Sequence, residues 1–176
     1  MAHSYILLDR DGTLIRHIPY LSNSNLVELL PNVVAGLKYL ESLNFKFGII
    51  TNQSVIGRGL ATREQVENVN QRVLQLLEKE NLHISFILYC PHAPFESCDC
   101  RKPSPELGNL AILKHDIDIN TSYMIGDANS DIVFGKSIGL HTIQITDLPY
   151  QTSLAEYATI DLLKSAEYIH SQIRKG

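Results

Sequence analysis

The sequence predicts an α/β fold in three layers, a doubly wound parallel sheet with helices on both faces. Two observations point to it. Short apolar segments at 4–9, 46–51, 85–90, 121–126 and 140–145 recur along the 176 residues, rich in Ile, Leu, Phe and Tyr and mostly without apolar–polar alternation. Runs of that kind belong to strands buried on both faces. Between them lie segments of helical periodicity, and a strand–helix alternation implies parallel strands joined by right-handed crossovers.

The first strand runs into Asp9-Arg10-Asp11-Gly12-Thr13. Successive side chains on a strand point to opposite faces, so Asp9 and Asp11 share a face until Gly12 turns the chain. Two acids at a strand's carboxyl end suit a hard cation such as Mg2+ and a phosphate arriving on it; a strand closing in a polar turn is the plainer alternative. Pro31 then opens a helix through Val33, Val34, Leu37, Leu40 and Leu43. The second strand ends at Thr51, followed by Asn52, Gln53 and Ser54. Thr62 with Gln65 three residues on forms a capping-box pattern, and Val66, Val69, Val73, Leu76 and Leu77 make a stripe that reads as core. The third strand ends at Cys90, and the loop after it carries Arg101-Lys102-Pro103 back toward the same edge. The fourth passes from Gly126 into Asp127, with Asp131 four residues later. Shorter helices are expected at 105–115 and 129–138, and a terminal one at 160–173. The irregular stretches 15–30, 90–104 and 146–158 are too short for a second domain, so residues 1–176 are expected to form one domain with no large cap.

Net charge is −4, which supplies no global basic field for nucleic acid or lipid. No apolar run reaches the ~18 residues of a membrane span, and Asp9 comes too early for a signal peptide to precede the fold. A cytoplasmic monomer is expected. All three cysteines fall between 90 and 100, a clustering that reads as metal ligation rather than a disulfide framework. Cys90-x-His92-x5-Cys98-x-Cys100 offers three thiolates and one imidazole, a set suited to tetrahedral Zn2+ with no open position for catalysis. The expected role is structural: to pin the loop so that Arg101 and Lys102 face an anion.

Open α/β sheets bind ligands beyond the carboxyl ends of their strands. Carboxylates, a hydroxyl, amides and a lysine all gather there in this chain, and four decorative strand ends in succession are improbable. In order along the chain, Asp9-Arg10-Asp11-Gly12-Thr13, Thr51, Lys102 and Gly126-Asp127…Asp131 resemble the four motifs of the haloacid dehalogenase (HAD) superfamily of phosphatases. Within that superfamily, Thr51 to Gly59 and the segment from Cys90 to Pro103 are similar to those of the D-glycero-D-manno-heptose 1,7-bisphosphate phosphatases and the histidinol-phosphate phosphatases. The resemblance implies Asp9 as nucleophile forming an aspartyl-phosphate, Asp11 as general acid and base, and Thr51 and Lys102 on the phosphoryl oxygens. It also implies Mg2+ held by the Asp9 side chain, the Asp11 backbone carbonyl and Asp127, with Asp131 behind them. Substrate contacts would come from Asn52, Gln53, Ser54 and Arg101.

The expected substrate is a small phosphorylated metabolite, a sugar bisphosphate first, and not nucleic acid or membrane. Heptose 1,7-bisphosphate, used in making surface glycans and lipopolysaccharide, is favoured by the segment Thr51 to Gly59. Histidinol phosphate is favoured by the short spacing between His92 and Cys98. A 3′-phosphatase acting on polynucleotides fits the acidic charge poorly. A zinc-stabilised binding module without catalysis is the reading from another class.

Overall fold

The computed structural model describes residues 2–148 and 153–175. Six strands, β1 (Tyr5–Leu8), β2 (Lys46–Asn52), β3 (Phe86–Cys90), β4 (Tyr123–Gly126), β5 (His141–Ile145) and β6 (Tyr157–Thr159), form one sheet in the order β3-β2-β1-β4-β5-β6. Every pairing is parallel. The chain adds β2 and β3 outward on one side of β1, then returns to lay β4 on the other. This reversal makes the carboxyl end of β1 a topological switch point, the place where such sheets bind ligands.

Helices α1 (Val33–Ser42), α2 (Arg63–Glu78), α3 (Glu106–His115), α4 (Asn129–Ser137) and α5 (Leu162–Ile173) flank the sheet. Strand alternation divides the core in two. Ile6, Leu8, Phe47 and Ile49 pack with Leu37, Leu40, Val69, Val73 and Ile169 of α1, α2 and α5. Tyr5, Leu7, Ile50 and Met124 pack with Ala111 and Phe134 of α3 and α4 on the opposite face. Each fully buried Leu or Ile contributes roughly 1.5–3 kcal/mol relative to exposure, so these two layers hold the strand ends in place. The capping box at α2 is formed: Thr62 Oγ1 accepts from the Gln65 N–H at 3.1 Å, and Gln65 Oε1 accepts from the Thr62 N–H at 2.8 Å.

The structure departs from the sequence expectation in the stretch 146–158. Residues 149–152 lie outside the described residues, but Tyr157–Thr159 forms β6 on the edge beside β5. A three-residue edge strand is too short to give a periodic signal. Strand β3 is the other edge, and its first four residues are only half-buried, which the buried-run reading did not anticipate. No helix among the described residues is long and apolar enough to cross a membrane, and no large cap is evident among them.

Candidate active site

Asp9 follows β1 directly, and its N–H donates to the Ile125 carbonyl of β4 at 3.0 Å. The backbone ladder therefore fixes where its carboxylate stands. Lys102, 3% exposed, reaches it from the cysteine loop: Nζ lies 2.7 Å from Asp9 Oδ1 and 2.7 Å from Asp131 Oδ1, and also donates to the Ile50 carbonyl. Burial opposes the charge on this ammonium, but the carboxylates of Asp9 and Asp131 outweigh it and raise the Lys102 pKa. Asp131 is buried as well; its Oδ2 accepts from the Ala128 N–H at 3.0 Å and caps α4.

Asp9, Asp127 and Asp131 each offer a carboxylate oxygen, and these oxygens lie within 4.8 Å of one another. Gly12 lets Asp127 approach: its φ is +82°, and a Cβ there would sit 2.3 Å from Asp127 Oδ2. Burial first, then the charges of Asp9 and Asp131, push Asp127 up to about 6. Three crowded carboxylates facing one ammonium call for further positive charge, and an oxygen-ligated divalent cation such as Mg2+ fits that donor set. This predicts a pH signature without Mg2+. The folded-state pKa of Asp127 is raised, so its ionisation destabilises the fold above about pH 6 and the penalty fades as pH falls toward the ordinary carboxylate range. Melting curves of Asp127→Asn in chelator should therefore exceed wild type at pH 7.5, and the gap should shrink at pH 5. The variant should also lose the Mg2+-dependent rise in Tm.

The Asp11 carboxylate stands beside this cluster. Arg10, with 1% exposure, grips it through Nε at 3.0 Å and Nη2 at 2.9 Å to Oδ2. Gln53 donates from Nε2 to Asp11 Oδ2 at 2.9 Å and to Thr51 Oγ1 at 3.0 Å, while its Oε1 accepts from Arg10 Nη2 at 2.8 Å. Both amide donors of Gln53 are thus used inside the protein. Asn52 is similarly engaged: its side chain donates to the Lys102 carbonyl and accepts from the Lys102 N–H, both at 3.0 Å. These two residues border the cleft, and their hydrogen bonds hold Asp11, Thr51 and the Lys102 backbone.

A cleft of about 320 Å³ opens beside Asp11, bordered by His17, Tyr20, Ser54, Arg58 and Arg101 among others. Arg58 stacks its guanidinium 5.7 Å from the centre of the Tyr20 ring. Arg101 donates to the His92 carbonyl at 3.3 Å. His141 lies at the amino end of β5, paired with Glu156 at 2.9 Å, remote from the strand ends that carry the acids. Two residues behind Asp11 were not among the sequence candidates: its partner Arg10, and the α2 residue that holds Arg10, Asn70. The available signals were a charged residue flanked by two motif acids and a polar residue set among α2's apolar positions.

The cysteine loop starts at Cys90 on β3. Cys90 Sγ is 3.7 Å from Cys98 Sγ and 3.1 Å from Cys100 Sγ, and His92 Nδ1 is 3.2 Å from Cys100 Sγ and 3.5 Å from Cys90 Sγ. All four ligand atoms lie within 4.8 Å of one another. The cysteines are free rather than bridged. Burial and the Cys100 sulfur push the Cys90 thiol up to about 12, so the thiolate form needs a cation, and Zn2+ fits this set. Gly57 packs the segment after β2 against the loop, donating from its N–H to the Pro91 carbonyl at 2.8 Å; a Cβ there would meet Ala93 N at 2.4 Å. Cys98→Ser should lower zinc content below about one per chain by elemental analysis, and should lower Tm and the occupancy of phosphate together. A zinc-free wild type of unchanged stability would reject the structural role.

Four similarities to known proteins bear on this site. A HAD-hydrolase-like family model matches residues 99–159. The D-glycero-beta-D-manno-heptose-1,7-bisphosphate 7-phosphatase of Helicobacter pylori is 39% identical over 131 residues, covering 74% of this chain and 76% of that protein. The histidine biosynthesis bifunctional protein HisB of Blochmanniella floridana is 34% identical over 148 residues, or 82% of this chain, but the match spans only 41% of HisB. Among solved structures, the D,D-heptose 1,7-bisphosphate phosphatase of B. bronchiseptica, complexed with magnesium and phosphate, superposes with a TM-score of 0.87. At 23% identity, covering 96% of this chain and 99% of that one, it speaks for a shared fold.

Proposed function

The chain belongs to the haloacid dehalogenase-like hydrolases that act on phosphate esters, and from that premise we propose that it is a Mg2+-dependent phosphatase of a small phosphorylated sugar, D-glycero-D-manno-heptose 1,7-bisphosphate first. One observation carries the phosphatase reading: the buried Lys102 ammonium 2.7 Å from both Asp9 and Asp131, with Asp127 in the same cluster. Asp9 Oδ attacks phosphorus, and the bond to the leaving oxygen breaks as Asp11 passes that oxygen a proton. Asp11 then takes a proton from water, which attacks phosphorus of the aspartyl-phosphate; the bond between phosphorus and Asp9 Oδ breaks, freeing phosphate and restoring the Asp9 carboxylate. Lys102 and the Thr51 hydroxyl hold the phosphoryl oxygens. The side chains of Asp9 and Asp127 and the Asp11 carbonyl would hold Mg2+, which would supply positive charge against the phosphoryl group.

Arg58 and Arg101 on the cleft support a bisphosphate, since they offer cations beyond those that face the reacting phosphorus. Ser54 supplies a hydroxyl on the same rim. Asn52 and Gln53 act by holding Lys102 and Asp11 in place. The three free cysteines, grouped as zinc ligands, support a reducing compartment and hence the cytoplasm. Histidinol phosphate remains the second reading because only five residues separate His92 from Cys98. Phosphate release from both anomers of heptose 1,7-bisphosphate, histidinol phosphate and a 3′-phosphorylated oligonucleotide, ranked by kcat/KM, tests the choice. A heptose bisphosphate should lead by at least about tenfold, the range that a second bound phosphate gives through charge-assisted hydrogen bonds. Histidinol phosphate in first place would reverse the order of the two readings, and no turnover of any phosphate ester with Mg2+ present would favour a binding module.

A further inference from the structure

Resting on the reading of Asp11 as acid and base, we propose that Asn70 of α2 and Arg10 are positioning residues for proton transfer to the leaving oxygen. Asn70 lies among Val66, Val69, Val73 and Leu77 on the buried side of α2 and is itself 6% exposed. A polar side chain in that setting needs a partner. Its Oδ1 accepts from Arg10 Nη1 at 2.6 Å. Arg10 is a guanidinium with 1% exposure, a position that is unfavourable unless the charge is paired and its donors are used. Its donors serve three acceptors: Nη1 goes to Asn70, Nη2 to Gln53 Oε1 and Asp11, and Nε to Asp11. Because the guanidinium is planar and rigid, holding one nitrogen sets the direction of the others. Asn70 therefore aims the fork that grips Asp11.

The contacts on Asp11 are unequal. Oδ2 takes Arg10 Nε at 3.0 Å, Arg10 Nη2 at 2.9 Å and Gln53 Nε2 at 2.9 Å, whereas among the described residues Oδ1 has only Arg10 Nη2 at 3.2 Å. Oδ2 is occupied by donors from the protein, and Oδ1 is the oxygen left to hold and pass a proton. The carboxylate, 18% exposed at its side chain, cannot rotate to exchange the two oxygens without breaking the grip. Helix α2 thus reaches the reaction through a chain of two side chains, Asn70 to Arg10 to Asp11, although none of its own residues borders the cleft.

Leaving-group dependence of kcat/KM tests this, because kcat/KM covers the steps through departure of the alcohol and an alkoxide needs the proton far more than p-nitrophenolate does. In Asn70→Leu, kcat/KM for an alkyl phosphate such as glycerol phosphate should fall roughly 10- to 100-fold, a part of what general acid catalysis gives, while p-nitrophenyl phosphate changes by less than about threefold on the same grounds. Asn70→Asp, which keeps the acceptor, should recover most of the loss. Equal losses with both esters in a folded, Mg2+-binding variant would mean that Asn70 is merely structural and would overturn the proposal, as would no loss with either. Should Asn70→Leu fail to fold, Arg10→Lys decides in its place: it keeps a positive charge but not the fork, and the same steepening is expected. Asp11→Asn separates the two possible failures. If it leaves the leaving-group dependence unchanged, the proton was wrongly given to Asp11; if it steepens the dependence and neither Asn70→Leu nor Arg10→Lys does, the positioning role alone is lost.

Discussion

Asp9→Asn should reduce kcat by about 10^4-fold or more, the scale seen when an attacking group is removed from a site whose parts act as a unit. The substitution keeps the shape of the side chain, and its backbone N–H still donates to Ile125. Lys102 keeps its 2.7 Å partner Asp131. The fold should therefore survive, with Tm within a few degrees of wild type, roughly the scale of a 1 kcal/mol change in a chain of this size. A steady-state assay beside a melting curve checks both halves. Activity within tenfold of wild type would remove Asp9 from the role of nucleophile, whatever else the cluster does. The binding-module reading expects no turnover from either protein, and from the exchange of an acid for an amide a change in ligand affinity alone.

Lys102→Met carries the largest expected effect on stability. Among the described residues the ammonium is the one cation in contact with Asp9 and Asp131, and both carboxylates are buried. Its removal leaves charges in a low-dielectric site without compensation, which costs about 3–5 kcal/mol when one member of a buried pair is deleted. For a chain of 176 residues that corresponds to a fall in Tm on the order of 10 °C. Mg2+ should restore part of the loss, since it neutralises the same carboxylates, but should not restore turnover. Pairing the change with Asp131→Asn should be less destabilising than the sum of the two, because each substitution removes the other's unpaired partner. Strict additivity would contradict the geometry in which one ammonium serves both acids. Thermal melts of the four proteins, with and without Mg2+, give the comparison.

The parts of this site that the sequence makes legible are those written at strand ends. Asp9, Thr51, Lys102 and Asp127 could be placed together because a parallel sheet brings the carboxyl ends of β1, β2 and β4 to one edge and lets the loop after β3 return to it. The Cys/His cluster was legible for a different reason: four soft or borderline donors within eleven residues need no tertiary information to be read as a set. What stayed hidden depends on contacts between segments far apart in the chain. Asn52 and Gln53 look like free amides in a loop, and only the fold shows that one holds the backbone of Lys102, fifty residues away, and the other Asp11, forty-two residues away. Asn70 is a sharper case. On helical spacing it falls within a stripe that reads as packing, and the reason for a polar residue there appears only when Arg10 is seen to reach it. Strand β6 was missed because three residues at a sheet edge carry too little periodicity.

A covalent bond between Asp9 and phosphorus is the central expectation, and that bond can be looked for directly. The enzyme is mixed with substrate and Mg2+, quenched in acid within the turnover time and treated with borohydride, which reduces an acyl phosphate to an alcohol. Peptide mass spectrometry should then find homoserine at position 9, and should find it neither when Mg2+ is withheld nor in Asp9→Asn. Homoserine at position 11 or 127 instead, or no reduced aspartate at any position while phosphate is being released, would contradict the account.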